Sequence, residues 1–138
     1  MNSALLLDTC AVIWIANGDF IAAEARKAMN LAANENQSIQ ISPISAWEIG
    51  ILVARGRLSI AGRPQNWYAQ VIGTPGVVAA RMPEELLIES SFLPGNPPSD
   101  PADRIIIATA REFGLRIVTR DRRILNYANE GHTQALEC

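Results

Sequence analysis

Four acidic residues stand at places in this chain where a carboxylate can do chemistry, and the first is Asp8. It ends the apolar run Ala4-Leu5-Leu6-Leu7. An uninterrupted apolar run stopped by one acid reads as a fully buried strand whose carboxyl end leaves the core at Asp8, where open α/β sheets place their ligands. A second strand-like run, Arg116-Ile117-Val118-Thr119, also ends near an acid, Asp121. Glu48 lies about a turn inside a helix announced by Ser42-Pro43, and Asp103 falls in the first turn of a helix announced by Asp100-Pro101. Serine or aspartate followed by proline is a helix-start signal, because the side chain caps the first amides and proline fits the first helical position. Three of the four acids also have a plain alternative. Asp8 or Thr9 could simply cap a helix beginning near Cys10. Ser45 and Glu48 match the spacing of a capping box. Asp103 would gain a few tenths to about 1 kcal/mol from the helix dipole alone.

The acids say more together than singly. Four carboxylates within about 5 Å of one another repel by roughly 3 kcal/mol per pair at an effective dielectric of 20, so the cluster needs cations. An all-oxygen set without His or Cys ligands suits Mg²⁺ or Mn²⁺ rather than zinc. Such a site performs metal-assisted phosphoryl chemistry, in which the ions activate a water and stabilise charge on an in-line phosphodiester displacement.

Elements able to gather these acids follow from the pattern. Ala11 to Ala16 is apolar on every side and predicts a short buried helix, and Ile21 to Ala33 a surface helix of high propensity. Ile39-Gln40-Ile41 alternates like a strand, and the helix after Ser42 carries Ile44, Trp47, Ile51 and Leu52 on its apolar face. Trp67 to Ile72 predicts another helix, Val77 to Ala80 a short strand, and Pro83 opens a helix carrying Leu86, Leu87 and Phe92. The proline-rich loop 94–101 leads into a helix from Pro101 to Phe113, closed by Gly114 as a left-handed cap. After the strand at 116–119 come a helix from Ile124 to Ala128 and an edge strand around Thr133 to Leu136. Strands separated by helices of this length imply parallel strands with crossovers, an α/β three-layer sandwich with a mostly parallel sheet of four or five strands. Asp8 and Asp121 then leave the sheet at the same edge.

With 138 residues the chain fits a single domain, 1–138, large enough to bury a core. The net charge of −2 gives no chain-wide attraction for nucleic acid, so any such partner must be held locally. Arg104, Arg120, Arg122 and Arg123 lie beside the last two acids and could contact RNA phosphates, or merely balance the acids. Trp14 and Trp47 could stack on bases, but their helical faces favour core packing. Cys10 and Cys138 read as free thiols, Cys10 without a basic neighbour to activate it, and His132 as solvent-exposed. No stretch approaches the roughly 20 apolar residues of a membrane span, and no signal-peptide pattern precedes Asp8; a cytoplasmic location follows.

At Leu6-Leu7-Asp8-Thr9, Ser42-Pro43-Ile44-Ser45-Ala46-Trp47-Glu48-Ile49, Asp100-Pro101-Ala102-Asp103-Arg104 with Ile107-Ala108-Thr109-Ala110, and Val118-Thr119-Arg120-Asp121, the chain resembles the PIN-domain ribonucleases, in particular the toxins of VapBC-type toxin–antitoxin pairs. The pieces stand in the family's order and span nearly the whole chain. The resemblance implies a PIN-like fold, Asp8, Glu48, Asp103 and Asp121 as metal ligands, Thr119 as a polar neighbour, and Asp100 as an assistant or a helix cap. It implies Mg²⁺-dependent endoribonuclease activity on RNA and a cognate antitoxin protein that presents a basic side chain to the acidic pocket. Apolar helical surface left over suggests a homodimer. Ala102 departs from close relatives, which often carry an aromatic residue there. Two other readings share the sandwich. A receiver-type phosphosignalling domain needs a lysine late in the sheet, and the one lysine is Lys27; a phosphatase of the haloacid dehalogenase kind needs Asp8-x-Asp, and residue 10 is Cys. A PIN-fold binding module without catalysis is at odds with the intact acids.

Overall fold

The computed structural model describes residues 4–138, so the first three residues of the expected single domain lie outside the described residues. Its sheet has five strands, β1 (Leu5–Leu7), β2 (Ile39–Ile41), β3 (Val77–Ala79), β4 (Arg116–Thr119) and β5 (Gln134–Glu137), in the order β3-β2-β1-β4-β5. All four pairings are parallel. β1 is central, with Leu5 opposite Ile39 and Arg116, and Leu7 opposite Ile41 and Val118. A strand flanked on both edges and covered on both faces has no side chain facing water, which is why it reads as a pure leucine run.

Side chains alternate across the pleat and so divide the core in two. Leu5, Leu7, Ile41 and Val118 face α1 (Thr9–Ala16) and α2 (Ala23–Asn34), meeting Ala11, Val12, Ala25, Ala28 and Ala32. Leu6 and Ile117 face α6 (Pro101–Phe113) and α7 (Arg122–Asn129), meeting Ile106, Ile107, Ala110, Ile124 and Tyr127. The remaining helices are α3 (Pro43–Ala54), α4 (Pro64–Ile72) and α5 (Glu84–Glu89). Helices on both faces of a parallel sheet make the expected three-layer sandwich. The helix-start signals act as read: Ser42 accepts the Ile44 amide at 3.2 Å with Pro43 first in α3, and Asp100 accepts the Asp103 amide at 2.9 Å with Pro101 first in α6. Gly114 closes α6 at φ +66°, a left-handed conformation open to glycine.

Several surface expectations are corrected. Trp47 is 60 % exposed rather than on a core-facing stripe. α3 is apolar nearly all round, so hydrophobic period assigns it no inner face; Ser45 and Ile49 are its buried residues, and two positions on from Ser45 the helix has turned by about 200°, carrying Trp47 outward. α1 is buried at Thr9, Ala11 and Val12 only, with Ile13, Trp14 and Ile15 half-buried. Phe92 is exposed because α5 has already ended at Glu89, before it. His132 is half-buried, its ring 4.8 Å from that of Tyr127 between centroids. Both cysteines are free, Cys10 exposed and Cys138 buried. Among the described residues no helix is long and apolar enough to cross a membrane.

Because Leu6 is fully buried at the middle of β1, Leu6→Ala should destabilise the fold by about 2–5 kcal/mol in urea unfolding. A cost below about 1 kcal/mol would mean that the second face of β1 is not closed.

Candidate active site

From β1 the chain builds outward through β2 and β3 on one side; on the other side lie β4 and β5. The switch in direction falls between the adjacent ends of β1 and β4, and a crevice opens there outside the carboxyl ends of the strands. Asp8 leaves β1 at this point with its amide on the Val118 carbonyl at 3.1 Å. Both readings of Asp8 hold at once. Oδ1 accepts the Ala11 amide at 2.8 Å and caps α1, while Oδ2 accepts the Thr119 hydroxyl. Thr119 in turn accepts the Asp121 amide at 2.9 Å, and Asp121 Oδ1 caps α7 through the Arg123 amide at 2.8 Å. One hydroxyl thus joins the two strand-end acids.

Glu48 is not the arm of a capping box, since Ser42 is the cap of α3. Its Oε1 instead accepts the hydroxyl of Thr9, the residue after Asp8, and Thr9 Oγ1 lies 2.9 Å from Ser45 Oγ. Asp103 sits in the first turn of α6, over the cap made by Asp100.

Electrostatics puts these acids in one neighbourhood. The Asp103 carboxyl is pushed up to about 7, first by burial and then by the charges of Asp100, Asp121, Glu48 and Asp8. Burial also raises Asp8, against the hydrogen bonds from Thr119 and Ala11, with Asp121 adding to the rise. Glu48 is raised by burial and then by Asp100 and Asp8, while the Thr9 hydroxyl pulls it down. Although Cys10 is a surface residue, partial loss of hydration around its thiol and the charges of Asp8, Glu48, Asp103 and Asp121 push it up to about 11, so it is no nucleophile. The structure therefore brings together all four acids singled out in the sequence, with Asp100 close enough to act on two of them.

The arginines are turned elsewhere. Arg104 Nε donates to the Pro98 carbonyl at 2.8 Å, Arg120 donates to the Phe20 carbonyl at 2.5 Å with its guanidinium 3.9 Å from the centre of the Trp14 ring, and Arg122 pairs with Glu137 at 3.2 Å. Among the described residues the ion pairs join Lys27 with Glu24, Arg122 with Glu137 and His132 with Glu130, and none neutralises the four acids. An apolar cleft of about 430 Å³ lined by Val12, Ile15, Met29, Ile41, Trp67 and Val71 contains none of them and is too poor in polar groups for phosphodiester chemistry.

The donor set fits a hard divalent cation: it is oxygen-only, and among the described residues no ion pair balances it. Among the described residues no three His, Cys, Asp or Glu groups are drawn close enough together to hold one ion. The residues that sequence reasoning missed are Thr9 and Ser45. Their signals are adjacency to Asp8 and the three-residue step from Ser45 to Glu48, which places both on one side of α3.

Folding raises the Asp103 pKa from its ordinary 3.8 to about 7, so the folded state holds that proton more tightly than the unfolded chain. The resulting stability is fully present below pH 3.8 and is lost as pH rises to about 7. Thermal melts without divalent cation should therefore show lower stability at pH 8 than at pH 5.5. Asp103→Asn should recover about 1 kcal/mol at pH 8, allowing for solvent screening. Equal melting of the two proteins at pH 8 would contradict the placement of Asp103 among these charges.

Comparison with known proteins identifies the family of this chain. The PIN domain family model matches residues 5–130. Ribonuclease VapC22 of Mycobacterium tuberculosis (strain ATCC 25618 / H37Rv) is 31 % identical over 130 residues, covering 92 % of this chain and 93 % of that protein. Among solved structures, VapBC2 from Rickettsia felis bound to a DNA fragment from its promoter matches with a TM-score of 0.67 at 13 % identity, over 97 % of this chain and 98 % of that one. FitAcB from Neisseria gonorrhoeae matches with a TM-score of 0.55 at 20 % identity, over 96 % of each chain. The two solved structures share the fold; the family model spans the segments that supply all four acids, and with the 31 % relative it shows that this chain belongs to the PIN domain family, its resemblance falling on the VapC-type members.

Proposed function

We propose that this chain is a Mg²⁺- or Mn²⁺-dependent endoribonuclease, the toxin of a toxin–antitoxin pair, that hydrolyses RNA phosphodiester bonds. The observation that carries the reading is the gathering of Asp8, Glu48, Asp103 and Asp121, from four elements, at the switch point of a parallel sheet. Asp8, Glu48, Asp103 and Asp121 are the residues we assign as ligands, and a cation held by them supplies the Lewis acid that activates water and neutralises the phosphodiester.

The chain's own groups prepare that site. The Ala11 amide and the Thr119 hydroxyl orient Asp8. The Thr9 hydroxyl orients Glu48. Asp103, pushed up to about 7 by burial and by the neighbouring acids, is the carboxyl whose ionised form a bound cation would stabilise. Thr119 and Asp100 are supporting residues in this reading, one by joining Asp8 to Asp121 and the other by capping the helix that carries Asp103. Of the expected phosphate contacts, Arg122 is the one whose present partner, the exposed Glu137, an RNA phosphate would displace at little cost. Arg104 and Arg120 would first have to leave backbone carbonyls.

The antitoxin belongs to the same reading, supported by relatives solved as VapBC and FitAB assemblies. The apolar cleft reached by α1 offers it an anchor, and the acids offer a place for a basic side chain. Exposed Ile88 and Phe92 suit the expected homodimer. The receiver reading finds no support, because Lys27 is exposed on α2 and paired with Glu24.

Asp8→Asn and Asp103→Asn should keep the far-ultraviolet circular dichroism of the wild type and lower cleavage of single-stranded RNA in Mg²⁺ by about a hundredfold or more. Chelation with EDTA should do the same to the wild type. Retained cleavage in both variants would overturn the assignment of these acids.

A further inference from the structure

We propose that Thr9, backed by Ser45, is a positioning residue for Glu48, and that its hydroxyl sets the carboxylate orientation that the divalent cation needs. The proposal rests on the reading of Glu48 as a ligand given above. Thr9 is 6 % exposed and Ser45 is fully buried, while Glu48 is half-buried at the edge of α3 beside the exposed Trp47. A like charge beside a carboxylate disfavours its ionised form, and Asp100 and Asp8 are such charges for Glu48. The hydrogen bond from Thr9 Oγ1 to Oε1, across 39 residues of sequence, holds that carboxylate in place.

Proton counting fixes the direction of the relay. An ionised carboxylate only accepts, and a threonine hydroxyl has one proton to give. With that proton on Glu48, the 2.9 Å contact between Thr9 and Ser45 must be a donation from Ser45 into Thr9. Donors in series polarise one another, so Ser45 strengthens the bond that Thr9 makes. Helical Thr109 shows the usual alternative for a buried hydroxyl, donating to the Ile105 carbonyl one turn back. Thr9 is the first residue of α1 and has no preceding turn. Its hydroxyl is directed instead to α3.

A second relay has the same construction. The Asp121 amide donates to Thr119 Oγ1, and Thr119 donates to Asp8 Oδ2. Each relay delivers one hydroxyl to one carboxylate from a residue adjoining a strand end. Asp8 and Glu48 are thereby tied to each other through a single peptide step, from residue 8 to residue 9. A merely structural Thr9 would stabilise the junction of α1 and α3 without affecting the cation.

Mn²⁺ titration of the full chain, followed by electron paramagnetic resonance of the free ion, separates the possibilities, with thermal melts run alongside. Thr9→Val should weaken Mn²⁺ binding by about tenfold, the usual scale for a group that orients a ligand, while Thr9→Ser should stay within about twofold of the wild type. Ser45→Ala should give a smaller loss of the same sign. Wild-type affinity in Thr9→Val, with Glu48→Gln weakened, would overturn the proposal and leave Glu48 as a ligand. Wild-type affinity in Glu48→Gln would overturn the ligand reading itself. Equal weakening in Thr9→Val and Thr9→Ser would also overturn the proposal, since the hydroxyl would then not be what matters. If Thr9→Val fails to fold, Thr9→Ala and Ser45→Ala decide the question, and wild-type affinity in both would overturn it.

Discussion

Like charges crowded at one end of a buried sheet are the constraint around which this molecule is built. Carboxylates placed this close destabilise one another and lose hydration as well. The fold offsets both costs with oriented donors. Asp8 takes an amide and a hydroxyl, Asp121 an amide, Asp100 an amide, and Glu48 a hydroxyl. The helices add a second contribution: α1, α6 and α7 all begin at the site, capped by Asp8, Asp100 and Asp121. Their positive dipole ends converge on the negative cluster, each favouring a nearby anion. What remains uncompensated is visible at Asp103, held near neutrality in its pKa.

Topology explains why residues so far apart in sequence can share this place. A parallel sheet sends all its strand ends to one edge, and a change of winding direction leaves a gap that no crossover helix fills. β1 supplies Asp8 on one side of that gap and β4 leads to Thr119 and Asp121 on the other. The central strand must be apolar to its last residue and polar immediately after, so the two demands meet within the step from Leu7 to Asp8.

Much of this was legible in the chain because it is written in short-range signals. Leu5 to Leu7, the cap pairs Ser42-Pro43 and Asp100-Pro101, and Gly114 each act within a few residues, and each forms the element expected of it. The rotation of α3 was not legible, since a helix apolar on all sides has no amphipathic phase to read. Trp47 consequently points to solvent, and it is the polar Ser45 and Glu48 that mark the inner side. The Thr9 contacts were hidden for a different reason. A hydrogen bond between residues 36 or 39 positions apart leaves no periodicity in either segment. The arginines beside the acids misled through adjacency, because a long side chain finds its partner in space: Arg120 lies on Trp14 and Phe20, about a hundred positions away in sequence.

The central claim is that Asp8, Glu48, Asp103 and Asp121 form one cradle for a divalent cation. Anomalous diffraction from crystals grown with Mn²⁺ tests it most directly, because manganese alone would scatter strongly at its absorption edge. The account predicts an anomalous peak at the carboxyl ends of β1 and β4, within coordination distance of carboxylate oxygens from Asp8 and at least one of the other three acids. A well-diffracting, Mn²⁺-saturated crystal with no peak there, or with its manganese bound only to other groups, would contradict it.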